Sequence, residues 1–186
     1  SKVEELIERI ERLLEEVRRI SDKVDEDLER LIRENEKHSK KIIKELEKLL
    51  KELEDIVRRE GGEARRVVEI LKKIVEDVRD LVRRDEKLNR DSAKTAEDLV
   101  RTSEEDLKRV LEEVKRLLEE IERDNIDKRL VERLRKVVED AEREIRRLIE
   151  KNKRSLERHK RELERTIKES RDVLKKVEDR VRELAR

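Results

Sequence analysis

The chain has 186 residues and a formal net charge of +1; 58% of it is Asp, Glu, Lys or Arg, 33% is hydrophobic, and Phe, Tyr, Trp, Met, Cys and Pro are all absent. Without Cys there are no disulfides or thiolate ligands, and a near-zero net charge gives no general attraction to nucleic acid or to an anionic membrane. No apolar run approaches the ~20 residues of a membrane span, no signal-peptide pattern opens the chain, and the composition fixes no compartment. So high a charge would suit a disordered chain, but sustained Leu, Ile and Val at helical spacing is the pattern of a coiled coil or long-helix bundle.

The first helix is predicted over about 2–60. Its apolar seam reads Val3, Ile7, Ile10, Leu14, Val17, Ser21, Val24, Leu28, Leu31, Asn35, His38 and Ile42, alternating steps of four and three as a heptad requires. A four–four step follows through Leu46 before Leu49, Leu53 and Ile56, which locally relaxes a left-handed supercoil. The only two glycines, Gly61 and Gly62 in "RREGGEARR", supply the left-handed conformation that ends a helix, so a tight reversal is expected there.

The second helix, about 63–124, carries Val67, Leu71, Ile74, Val78 and Leu81, then Asp85, Leu88, Ser92, Thr95, Leu99 and Thr102, and returns to Val110, Val114, Leu117 and Ile121. The corner "ERDNIDKRLVERL" offers Asn125 as a left-handed cap and Asp127 as N-cap of the third helix, with Ile126 and Val131 placed as a hydrophobic staple. The third helix, about 128–186, runs Leu130, Leu134, Val137, Ala141, Ile145 and Leu148, then Asn152, Ser155, His159, Leu163, Thr166 and Ser170, and closes on Val173, Val177, Val181 and Leu184. Short connections favour antiparallel neighbours. The expected architecture is all-α: an elongated antiparallel three-helix bundle, up-down-up, forming a single domain over 1–186, with helices roughly 90 Å long.

Each helix thus has apolar ends and a polar middle. "LNRDSAKTAEDL" could hold a break capped by Asp91 or Ser92, but the four–three spacing runs through every middle without Gly or Pro. Folding about the two corners places residue n of the first helix near 123 − n of the second, and residue m of the second near 252 − m of the third. Ser21 then lies near Thr102 and Asn152; Ser92 and Thr95 lie near His159 and Ser155. His38 lies near Asp85 and Thr166, with Asn35, Asn89 and Ser170 within a turn. Polar groups tolerate burial when they are hydrogen-bonded, so meeting at shared levels is what they require. Charge agrees: residues 143–168 hold eleven Lys/Arg against five Glu, and residues 91–113 hold eight acids against four bases, setting opposite flanks to face one another.

With Ser, Thr, Asn and His at seam positions 21, 35, 38, 92, 95, 102, 152, 155, 159, 166 and 170, Glu/Lys/Arg surfaces and minimal corners, the whole chain resembles de novo designed helical bundles whose cores carry programmed hydrogen-bond networks. Spectrin-like natural repeats resemble it less, because those place aromatics in their cores. The resemblance is one of design style, so it implies a scaffold, a defined oligomer, one half of a heteromer or a switch, and brings no active site with it.

Other chemistries fit less well. By the expected register His38 and His159 stand eight residues apart in level, ~12 Å, too far to share an ion, so no metal and no cofactor is expected. Asp85, His38 and Thr166 suggest an acid–base–hydroxyl set, but a slim three-helix core offers no substrate pocket or oxyanion hole; no enzyme is expected. The basic stretch of the third helix lacks aromatics, and an acidic partner flank explains it without nucleic acid. Apolar pairs such as Leu13–Leu14 and Leu49–Leu50 widen the stripes, either to close the groove edges of a monomer or to serve self-association or an added helical partner. His38 or His159, if buried neutral, would make the protein acid-sensitive, whereas an Asp85 partner for His38 would remove that response at this group.

Overall fold

A computed structural model describes residues 2–59, 64–123 and 126–185 of the chain. They form three helices, α1 Lys2–Arg59, α2 Ala64–Glu122 and α3 Lys128–Ala185, and no strand occurs among the described residues. The expected reversal at Gly61 and Gly62 and the cap at Asn125 lie outside the described residues.

The helix ends follow local chemistry. Glu4 and Glu5 occupy the first turn of α1 and Arg58 and Arg59 its last, each charge opposing the partial charge of the helix dipole. At α3 the Asp127 carboxylate accepts the backbone N–H of Arg129 at 3.2 Å, and its carbonyl accepts those of Leu130 and Val131 at 3.1 and 3.2 Å. This is an N-cap, satisfying amides that have no partner inside the helix. Ile126 before the cap and Val131 after it both pack on the apolar core beside them.

The chain divides into two compact units, each drawing a stretch from every helix: Ser1–Glu29 with Thr95–Arg158, and Arg30–Lys94 with His159–Arg186. In the first unit Ile10 and Val17 of α1, Leu107 and Val114 of α2, and Leu134 and Ile145 of α3 are fully enclosed in one cluster. Full burial of each large aliphatic contributes roughly 1.5–3 kcal/mol. In the second unit Leu46 and Leu53 of α1, Leu71 and Val78 of α2 and Val177 of α3 form the corresponding cluster. The paired residues Leu13 and Leu14, and Leu49 and Leu50, are half-buried against the cluster of their own unit, closing groove edges within one chain.

Side-chain contacts give the register. Arg9 meets Glu113 in the first unit, and Asn35 meets Asn89 and Ser39 meets Asp85 in the second, close to the expected 123 − n. Between α2 and α3 the expected 252 − m is corrected. Ser103 meets Asn152 and Glu104 meets Lys153 in the first unit, and Glu86 meets Arg171 in the second, three to five residues further along α3. At this end Ile126 and the first-turn residues Leu130 and Val131 of α3 pack on the core of the first unit.

Leu134→Ala or Ile145→Ala, each emptying a fully buried site, is expected to lower unfolding free energy by about 2–5 kcal/mol. Ile70→Ala, at a 37% exposed position, should change it by about 0.5 kcal/mol or less. Urea titrations of the three variants check the contrast.

Candidate functional site: two buried polar layers

In the first unit one polar residue from each helix joins a single chain of hydrogen bonds. The Ser21 hydroxyl donates to Asn152 Oδ1 at 3.0 Å, and Asn152 Nδ2 donates to Ser103 Oγ at 3.4 Å. All three residues are at most 3% exposed. Asn152 is suited to the centre because its amide carries a donor and an acceptor on opposite arms. Ion pairs border the layer: Lys151 with Asp25 at 3.1 Å, and Lys153 with Glu104 at 3.2 Å. The Glu104 carboxyl is held below its ordinary value, first by its hydrogen bond to Lys108 and then by Lys153. Lys153 and Glu104 join the basic flank of α3 to the acidic flank of α2.

In the second unit a larger cluster joins α1 and α2. Asn35 donates to Asn89 Oδ1; Asn89 Nδ2 donates to the Asp85 carbonyl at 2.7 Å and to Ser39 Oγ at 3.5 Å; the Ser39 hydroxyl donates to Asp85 Oδ1 at 2.8 Å. Asp85 and Asn89 are fully buried, Ser39 and Asn35 nearly so. Burial pushes the Asp85 carboxyl up from its ordinary value, against the pull of hydrogen bonding by Ser39, Ser170 and Asn89. Ser170 of α3 is also fully buried, and its hydroxyl donates to its own helix, to Ile167 O at 2.9 Å.

Three positions expected in the core are not there. His38, Thr95 and Thr102 are exposed, and the buried positions are Ser39, Ala96 and Ser103, one residue along in each case. One residue is ~100° of rotation, enough to carry a side chain from core to solvent. The four–four step of α1 falls at Leu31–Asn35–Ser39, about two turns before the expected place, and α2 keeps Leu107 fully buried, a residue the expected seam passes over. Ser103 lies four residues before Leu107 and Ser39 seven before Leu46, so counting back from those leucines finds both.

The remaining expected residues are placed as follows. Thr166 is half-buried and bonds back to Glu162 O at 3.1 Å, while Ile167 takes the core position beside it. Ser155, in the first unit, is half-buried and accepts from Arg158 at 3.2 Å. Ser92 and His159, both in the second unit, are 7% and 1% exposed, and neither Ser92 Oγ nor either ring nitrogen of His159 has a hydrogen-bond partner. Burial without compensation holds the His159 imidazole below its ordinary value.

Among the described residues no group of three or more His, Cys, Asp or Glu could hold a metal ion, and no helix is long and apolar enough to cross a membrane. What the two layers can do chemically is hold buried donors against buried acceptors.

No protein-family model and no curated protein matches the chain. Among solved structures, a "Computationally designed three helix bundle" matches over 98% of this chain and 87% of its own, with a TM-score of 0.65. The fold is that of a three-helix bundle. At 21% identity the likeness is one of fold alone.

The sign of the His159 linkage is fixed by its environment. The unfolded chain takes up a proton as pH falls below the ordinary histidine value of 6.5, while the folded chain resists until its lower value is reached. Stability is therefore lost as pH drops through that window. His159→Leu should flatten the fall in urea midpoint between pH 7 and pH 5.

Proposed function

We propose that the chain is a de novo designed structural scaffold, with no natural biochemical activity and no catalytic role, whose buried polar layers specify how three helices align in a single bundle over residues 1–186. The observation that carries this reading is the Ser21–Asn152–Ser103 chain, in which every helix of the first unit contributes one member and each member's partner is on another helix. Support also comes from the chain's composition, built almost wholly of strong helix formers and β-branched aliphatics, and from the likeness of fold to a designed bundle.

Physically, such a layer acts on alternatives more than on stability. A satisfied hydrogen bond contributes a net ~1 kcal/mol, and a buried group left unpaired costs ~1–3 kcal/mol. A helix slipped by one turn would strand Asn152 and both serines in an aliphatic core, so wrong alignments are raised relative to the right one. A second reading, an acid-responsive scaffold, is supported by His159, buried with both ring nitrogens unpartnered.

The alignment role is tested by cysteine trapping in the first unit. The native pair Arg9→Cys with Glu113→Cys, at side chains that now touch, is compared with a pair one turn out of register, Arg9→Cys with Arg116→Cys. With the layer intact only the native pair should oxidise readily. With Ser21→Val, Ser103→Val and Asn152→Leu added, the helices should persist with equal or higher melting temperature, and the out-of-register disulfide should form at least several-fold faster. Unchanged trapping in the apolar variant would remove the alignment role.

A further inference from the structure

When Asp85 is ionised, two buried oxygens in the polar layer of the second unit have no hydrogen placed to meet them. Asn89 uses both amide hydrogens, on the Asp85 carbonyl and on Ser39, and its Oδ1 accepts from Asn35. Ser39 spends its single hydrogen on Asp85 Oδ1, and Ser170 spends its own on Ile167 O. Two buried atoms of the cluster are left unpartnered, Asp85 Oδ2 and Asn35 Oδ1, and both are acceptors. They belong to residues 0% and 5% exposed, where an unsatisfied oxygen is expensive and an unpaired charge more so.

Among the described residues no cation is hydrogen-bonded to or acts on the Asp85 carboxyl. On α2, Glu86 adds to the negative field at Asp85 and is itself engaged by Arg171 of α3. On α1, Glu36 and Lys40, and on α3, Glu162, Arg165 and Glu169, line an outer groove beside Ser39. The carboxylate accepts from the Ser39 hydroxyl on Oδ1 and feels the further pull of Ser170 and Asn89, while Oδ2 has no hydrogen bond of its own.

We propose that Asp85 holds a proton on Oδ2 in the folded protein at pH values where a solvated aspartate is ionised, so that the layer is a proton-binding site completed by a carboxylic acid O–H. Protonation turns one of the two orphan acceptors into a donor, removes the buried charge, and leaves Asn35 Oδ1 in the same cluster as an acceptor. Burial favours the neutral acid in the same sense, and Glu86 adds to it.

The linkage runs opposite to that of His159. The folded chain keeps a proton that the unfolded chain releases above the ordinary aspartate value of 3.8, so stability present in acid is lost as pH rises through the folded value. The second unit therefore carries two buried groups that answer pH in opposite directions. This inference stands on the hydrogen-bond count of the second unit, whereas the trapping pair lies in the first, so either reading can fail without the other.

Carboxyl ¹³C NMR of the Asp-labelled protein, with the Asp85 signal assigned by its loss in Asp85→Asn, reads the site directly. Asp85 should titrate above the exposed aspartates, and Asp85→Asn, which places an amide donor where the acid hydrogen sits, should raise the urea midpoint at pH 7. Three results would overturn the proposal: Asp85 ionising together with the exposed aspartates; Asp85→Asn unfolding more readily at pH 7; or an ionised Asp85 whose unfolding midpoint rises with sodium or calcium but not with tetramethylammonium, which would make the missing partner a metal cation. Should Asp85→Asn fail to fold, Asp85→Glu displaces the signal for assignment and the parent titration decides alone.

Discussion

A polar atom taken out of water must meet a partner, and in the first unit of this protein the partners of one buried amide lie on two other helices. Leu, Ile and Val at heptad spacing offer nearly equivalent contacts at every turn, so an all-aliphatic seam discriminates poorly between one alignment and the next. In the proposed role the Asn152 amide removes that degeneracy in the first unit: its oxygen is satisfied by α1 through Ser21 and its nitrogen by α2 through Ser103.

The aliphatic clusters supply the stabilisation that such a layer does not. In each unit the fully enclosed side chains come from all three helices, and their burial offsets the entropy of ordering long helical segments. Surface charge adds little energy per pair, but it has a sense: Lys153 on Glu104, and Arg171 on Glu86, place basic α3 against acidic α2. The second unit shows what happens when the pairing requirement is incompletely met. His159 and Ser92 are buried without partners, and Asp85 and Asn35 each leave an oxygen unmatched.

Much of this was legible in the residues. Heptad spacing gives three helices, Asp127 and Ile126 give the start of α3, and matching seam residues across the first corner gives the α1–α2 register. The errors cluster where the seam is polar. A leucine declares its face by its apolarity, but "HS" at 38–39 and "TS" at 102–103 offer two polar residues in a row, and spacing alone does not say which one turns inward. A seam carried forward from the apolar N-terminal end selects His38 and Thr102; carried back from Leu46 and Leu107 it selects Ser39 and Ser103, the buried pair. Small hydroxyls suit those sites, whereas a larger imidazole is accommodated at 159. The α2–α3 register is not legible in the same way: it depends on how Ile126, Leu130 and Val131 pack on the core, a tertiary effect that turn chemistry does not reveal.

The side-chain amide protons of Asn152 report most directly on whether a buried polar layer holds the helices in one arrangement. Hydrogen exchange of its Nδ2 group, followed by ¹⁵N-resolved NMR, should show a single pair of amide resonances exchanging far more slowly than those of a solvated asparagine. Several pairs of resonances, or exchange at the rate of an exposed side-chain amide, would contradict the account.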